Sequence, residues 1–591
     1  MKPRLKRTLS RAGVLVAVFA ATGALTVGAP SGLATTAPGF GYGTPSLVNY
    51  AAPSSLANSS NAGEPSIGVN WNTGSAMYQA NSSTYRVNFD DATTPAAATW
   101  ADTAAPNVVN IDPILATDHT TGRTFGGGLA TSCSQLAYSD DDGGSWTPSN
   151  PCTGTIDHET IGSGPWAGAA PLGSSYSHAV YYCAQASVDA CVTSGNGGLT
   201  FGAPTPVTGV CGGLHGHVKV SADGTAYVPD NNCGSATGGF QTRDNGASWS
   251  SYTIAQAASP GRGFDPSVTT TPDNTLYQAW GRAGDFHPTV ARSTDHGLNW
   301  DRVTDLAGTV SPALVAATFP AMVSGDNGRL AVAFLGTSVG TAGVTPFDNG
   351  YHGVWYLYVS YSFDGGQTWS TVNATPNDPV QRGCLWDGGG SNSCRNLLDF
   401  MDASVTKTGR VVVGYADGCI GACSGTGGTE AESTSAYATI ARQSTGQGLF
   451  AAYDVAASSP SPSASASPSP TPSASASPSP SPSPIASPSA SPSPAAVPSA
   501  PQNLVAGTAT KKGVTLTWQA PASSGSSALT GYDLYRATSC NGSETLYKSL
   551  GTGTTYTDTG TRSGVTYCYY LTAVNATGQG PASNQASATA R

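Results

Sequence analysis

Four eight-residue stretches share the pattern Ser/Thr-x-Asp-x-Gly-x-x-Trp: Ser139–Trp146, Thr242–Trp249, Ser293–Trp300 and Ser362–Trp369. A fifth, Ser194–Phe201, carries Asn196 for the aspartate and Phe201 for the tryptophan. The pattern describes a tight hairpin. Ser/Thr and Asp side chains bond nearby backbone N–H groups, and Gly supplies a positive φ. The terminal aromatic folds back as an apolar plug between neighbouring sheets. The repeated aspartates are therefore assigned to holding turns, not to catalysis. Glycine is abundant (73 residues) and only 10% of residues are charged. Long Leu/Glu/Lys-rich helical patterns are absent, which places the chain in the all-β class.

Upstream of each hairpin stands a second phrase, an acidic, His or aromatic residue leading into a short apolar strand. It reads Glu64-Pro-Ser-Ile67, Asp112-Pro-Ile-Leu115, His158-Glu-Thr-Ile161, His215-Gly-His-Val218, Asp265-Pro-Ser-Val268, Phe319-Pro-Ala-Met322 and Asp402-Ala-Ser-Val405. Repetition at roughly 50 residues with this internal order signals propeller blades. The hairpin motif resembles the Asp-box (BNR) repeat of sialidase-like β-propellers. With weaker boxes near Arg86–Trp100 and Ala441–Phe450, the resemblance implies a seven-bladed propeller over 41–456. Six blades is the alternative, if the first segment only adds a closing strand.

The ends of the chain read differently. Lys2, Arg4, Lys6, Arg7 and Arg11 precede an apolar run from Val14 to Val27, with Ala29 and Ala34 as cleavage points, so 1–34 reads as a secretory signal peptide. Its removal would make the formal charge of −10 more negative still, which argues against nucleic acid as a partner. No other segment approaches the length of a membrane span. Residues 457–499 are almost purely Pro, Ser and Ala, a disordered linker reaching on the order of 100 Å when fully extended. Residues 500–591 resemble a fibronectin type III β-sandwich: Trp518 falls in the second strand, and Tyr567-Cys-Tyr569-Tyr-Leu571 supplies the penultimate strand, with Tyr567 as the tyrosine corner. The twelve cysteines fit an oxidising compartment. Their clustering suggests Cys133/Cys152, Cys183/Cys191, Cys211/Cys233, Cys384/Cys394, Cys419/Cys423 and Cys540/Cys568, although spacing alone does not fix connectivity. The mature protein is expected outside the cell, as a monomer.

In such a propeller the first position of each phrase faces the channel mouth. Glu64, Asp112, His158, His215, Asp265, Phe319 and Asp402 would then form a ring, with Asp402, Glu64 and Asp112 as neighbours. Crowded carboxylates raise one another's pKa, so one can serve as proton donor while another acts as base. Glycoside hydrolysis needs that pairing. The candidate catalytic residues are therefore Glu64, Asp112, Asp265 and Asp402, with His158, His215, His217 and Arg282 as candidate substrate contacts. No cofactor is required, though Ca²⁺ suits the same oxygen ligands. The expected partner is an extracellular glycan or polysaccharide. The family's first inner-strand phrase carries an arginine of a substrate-binding triad; here it reads Ala62-Gly63-Glu64-Pro65, so true sialidase activity is not expected. The competing readings are a non-catalytic binding propeller and a metal-dependent polysaccharide lyase.

Overall fold

A computed structural model of the chain describes residues 43–454 and 498–591 apart from 104, 106–111, 130–132, 150, 152–156, 186–188, 255–264, 387–389, 425–435, 499, 508–512, 522, 526, 539–544, 577 and 584. The expected signal peptide and nearly all of the expected linker lie outside the described residues. So do Cys152 and Cys540. The described residues are all-β, with only two short 3-10 turns, Ala307–Thr309 and Ala451–Tyr453. No helix among them is long and apolar enough to cross a membrane.

Among the described residues, 46–445 form seven successive four-stranded antiparallel groups; parallel pairing of Thr205–Thr208 with Trp249–Thr253 joins the third and fourth into one eight-stranded sheet, and Gln381–Gly383 adds a fifth strand to the sixth. Their innermost strands are Ser66–Val69, Ile114–Thr117, Asp157–Gly164, Lys219–Val220, Ser267–Thr270, Ala316–Ser324 and Asp402–Val405. Each innermost strand touches the next, and Asp402–Val405 touches Ser66–Val69, so the contacts close into a ring. The seventh sheet is completed by the opposite end of the region. Ser46–Ala51 pairs antiparallel with Tyr437–Thr445, placing Leu47 against Gln443 and Tyr50 against Ile440. The first segment thus completes the last sheet, and Ser66–Asp102 forms a four-stranded sheet of its own.

Burial explains which sequences occupy which strand. The second strand of a sheet is covered on both faces by neighbouring sheets, and Ala76–Ala80, Thr124–Gly128 and Leu330–Thr337 are buried at every position. Such strands carry little polar alternation. The outer strand Ala97–Asp102 is half-exposed and mixes Thr and Asp with Trp100. Between sheets the core is aromatic: Tyr181 of the third sheet meets Trp249 of the fourth edge-on at 5.8 Å, and Tyr252 of the fourth meets Trp300 of the fifth at 5.9 Å. Both tryptophans belong to the repeated hairpins.

Residues 500–591 form a β-sandwich. One sheet holds Gln502–Ala506, Val514–Gln519 and Thr555–Asp558; the other is built on Leu529–Ala537 and Thr566–Asn575. Trp518, Tyr532, Leu534, Tyr569 and Leu571 fill its core. The Tyr567 hydroxyl accepts the Arg562 N–H at 3.1 Å, tying the start of its strand to the preceding turn. Four of the expected disulfides are formed: Cys183–Cys191, Cys211–Cys233, Cys384–Cys394 and Cys419–Cys423.

Candidate functional site

The five repeated hairpins lie between the third and fourth strands of the second to sixth sheets. In the first of them the Gly143 N–H donates to Ser139 Oγ at 2.8 Å, the Ser145 N–H donates to Asp141 Oδ1 at 2.8 Å, and Ser145 Oγ donates to Asp141 Oδ2 at 2.8 Å. The same contacts recur around Asp244, Asp295 and Asp364. The residue after the aspartate and the following Gly both have positive φ, as in Asn245 (60°) and Gly246 (82°), which only a small or Asn-like residue followed by Gly accepts readily. All four carboxylates are held below the usual aspartate range and are committed to their turns.

The ring positions behave differently. Glu64, Asp112, His158 and Phe319 share a left-handed backbone, with φ of 54°, 42°, 53° and 53°. Because Phe319 shares it, this conformation belongs to the way the chain enters an inner strand, not to ionisable chemistry. Glu64 is 3% exposed, and its N–H donates to Leu397 O at 3.1 Å. Burial, followed by the nearby charges of Asp399 and Asp112, pushes its carboxyl well above the usual range. His158 Nε2 lies 2.7 and 2.8 Å from the two oxygens of Asp265, with both side chains buried. Burial opposes the imidazolium, but Asp265, then Asp112 and Asp399, lift His158 to about 10. His215 meets the His158 ring edge-on at 5.5 Å. Burial and repulsion from His158 drop it to about 3, leaving it neutral.

Asp402 departs from its expected place. Ile67 N–H points to Asp402 Oδ2 at 3.4 Å, as Val218 N–H donates to Thr160 Oγ1 and Met322 N–H to Ser267 Oγ. Thr160 and Ser267 are third in their phrases, so Asp402 is a third-position residue, two steps into the channel. Phe400 takes the first position and Asp399 supplies the carboxylate beside Glu64. The corresponding third-position residue of the fourth sheet is His217. Across the ring, Asp402 lies 3.5 Å from His217 Nδ1 and 3.8 Å from Lys219 Nζ. Burial opposes its charge, yet Lys219 and His217 hold it at about 2. Asp402, His217 and Lys219 border a channel cavity of about 260 Å³ that extends to Ser163, Ser324 and Trp71. Glu64, Asp112, His158, His215 and Asp265 do not line that cavity.

Sequence reasoning missed three acids of this region. Asp399 forms an ion pair with Arg395 at 2.6 Å. Asp189 and Asp230 are both buried; burial and, for Asp189, the charge of Asp230 raise them to about 7 and about 6. Asp399 stands one residue from the true first position and was legible had the phrase been aligned on its third position. Asp189 and Asp230 lie outside the repeated phrase, so no spacing marks them. Arg282 is bound elsewhere, by Asp285 and by Asp305 at 2.9 Å. His287 joins the same two aspartates, and this group has the proximity of a metal site, but the Arg282 guanidinium already contacts both carboxylates. Trp280 and Trp355 are fully buried and belong to the core.

Comparison with known proteins separates the two ends. Residues 499–589 match the model of the fibronectin type III domain. A search of curated proteins finds no match to the chain. Among solved structures, titin kinase and its flanking domains is 26% identical, with 16% of this chain and 17% of that chain covered and a TM-score of 0.15. A protein of unknown function from Dyadobacter fermentans is 12% identical, with 68% and 100% covered and a TM-score of 0.36. The Hadza microbial sialidase Hz136 is 13% identical, with 62% and 73% covered and a TM-score of 0.34. The disulfides and the fibronectin type III module fit an extracellular protein.

Proposed function

We propose that the protein is a secreted glycoside hydrolase whose 41–456 region is a seven-bladed Asp-box propeller of the sialidase-like kind, delivered by the 1–34 signal and carrying its fibronectin module on the 457–499 tether. The observation that carries the reading is Glu64, a buried carboxyl whose hold on its proton is strengthened by burial and by the charges of Asp399 and Asp112, in the same ring as the His158–Asp265 pair. A glycosidic bond is cleaved by protonating the leaving oxygen while a second carboxylate assists attack at the sugar carbon. Glu64 is the proton donor and Asp112 the assisting carboxylate. His158, Asp265 and the buried His215 position the pair and set its field, while His217 and Asp402 border the channel cavity that a sugar would enter. The substrate is an extracellular glycan or polysaccharide, and the protein acts as a monomer.

Single replacement of Glu64, Asp112, Asp265 and Asp402 by the amide, screened on a broad panel of glycosides and polysaccharides with and without Ca²⁺, tests the assignment. Loss of sugar release with retained fold is expected for Glu64 and Asp112. Full activity in all four variants would refute the site.

One observation favours a second reading. Glu64, Asp265 and His158 are all less than a tenth exposed. A closed polar cluster also suits a non-catalytic propeller that binds a glycan or protein on its rim, with the cluster fixing the ring. That reading predicts glycan binding with no sugar release on any substrate.

A further inference from the structure

Among the described residues, one short stretch of chain, Cys394–Met401, lies against Glu64. Cys394 is tied to Cys384 by a disulfide, and its carbonyl accepts the Trp386 N–H at 3.1 Å. From there the chain runs across the start of the first sheet. Asn396 Oδ1 accepts from Gln381 Nε2 at 2.7 Å, and Leu397 O accepts the Glu64 N–H at 3.1 Å. Leu398 packs so closely on Gly63 that a Cβ there would lie 2.7 Å from its Cδ1. Leu398 itself holds a φ of 61°, a conformation costly for a branched side chain. Arg395 grips Asp399 at 2.6 Å, and Asp399 is the charge nearest to Glu64 in effect. The Phe400 ring then fits between two histidines, with centroids 6.5 Å from His158 and 4.7 Å from His217. It separates the His158–Asp265 pair from the channel group of His217, Lys219 and Asp402.

We propose that Cys394–Met401 is a latch closed over Glu64, held by the Glu64–Leu397 and Gln381–Asn396 hydrogen bonds, kept in shape by the Arg395–Asp399 ion pair within it and anchored by the Cys384–Cys394 disulfide, and that a ligand reaches Glu64 when this latch lifts. The inference takes Glu64 as the functional centre, as in the reading above, and reconciles that role with its burial. Lifting breaks one backbone hydrogen bond to the ring, frees Leu398 from its left-handed conformation and withdraws Phe400. The inner strands need not move. Local opening of this kind, well below global unfolding in cost, is how covered sites are usually reached.

The test uses the full-length protein and reads the latch without reference to glycan cleavage. Hydrogen exchange is followed at the Glu64 amide, whose acceptor is Leu397 O, and in the buried inner strand Ala316–Ser324 as an internal reference. Two variants loosen the latch independently, Arg395→Gln at the ion pair and Cys384→Ser/Cys394→Ser at the anchor. In each, exchange at Glu64 should rise roughly tenfold or more while the reference strand is unchanged. Carbodiimide coupling of glycine ethyl ester, mapped by mass spectrometry, should label Glu64 in the variants and spare it in the wild type. Equal protection and equal labelling in all three proteins, with the reference strand intact, would overturn the latch. A latch that opens as described in a protein that cleaves no glycan would instead sink only the hydrolase reading.

Discussion

Replacing Asp265 by Asn removes the counter-charge of a buried histidine and should be the most destabilising single change in the ring. His158 Nε2 sits between both Asp265 oxygens at 2.7 and 2.8 Å, and neither side chain is more than a tenth exposed. Breaking one side of such a pair costs about 3–5 kcal/mol. Proton linkage gives the same order: His158 is lifted from 6.5 to about 10, at ~1.4 kcal/mol per pKa unit. A histidine with a raised folded pKa contributes stability that is full below its unfolded value and is lost as pH rises through the folded one. The wild-type advantage over Asp265→Asn should therefore be nearly full near pH 6, cut to roughly half by pH 8 and largely gone by pH 10. One kcal/mol shifts a domain of 150–250 residues by roughly 2–4 °C, so the larger seven-sheet unit should lose roughly 5–10 °C at pH 7. Thermal unfolding followed by near-UV circular dichroism at the three pH values reads this directly. A shift below about 1 °C at pH 7, where pairing of this strength forbids one, would refute the reasoning.

Glu64→Gln should leave the fold intact and be at least as stable as wild type at pH 8, because the raised folded pKa makes the native carboxyl progressively less favourable as pH climbs above 4.5; urea unfolding at pH 5 and 8 checks the sign. Asp402→Asn should cost about 1–3 kcal/mol at pH 6, and the difference should vanish as pH falls through about 2, since a depressed aspartate loses its contribution when protonated; acid titration of both proteins measures it. Ser139→Ala removes the acceptor of the Gly143 N–H and should cost about 1–2 kcal/mol by thermal unfolding, with no change in glycan binding or cleavage.

The repeated hairpins made the sheet order readable, because their Ser/Thr, Asp and Gly must occupy fixed places in one turn geometry, and the tryptophan must reach the neighbouring sheet. Local cysteine spacing similarly anticipated four disulfides, each joining residues close along the chain. The ring was less legible. Glu64, Asp112, His158 and Asp265 do gather at the starts of inner strands, but the seventh phrase was aligned on a carboxylate where the structure places Phe400. A strand side chain alternates faces and levels along the channel, so a two-residue slip kept Asp402 pointing inward while moving it below the ring. Asp399 stands one residue before the realigned seventh phrase, whereas Asp189 and Asp230 come from segments without a repeated phrase. Their proximity to the ring is a tertiary property that no spacing along the chain carries. Burial was equally hidden, since the cover of Glu64 comes from residues more than three hundred positions away.

The central claim concerns Glu64, and binding and cleavage on one glycan test it together. For any glycan hydrolysed by the wild type, Glu64→Gln should bind with similar affinity in titration calorimetry yet release no sugar, because the amide keeps the shape and loses the proton. Undiminished release by Glu64→Gln, or wild-type binding across a glycan panel with no release from any member, would contradict the account.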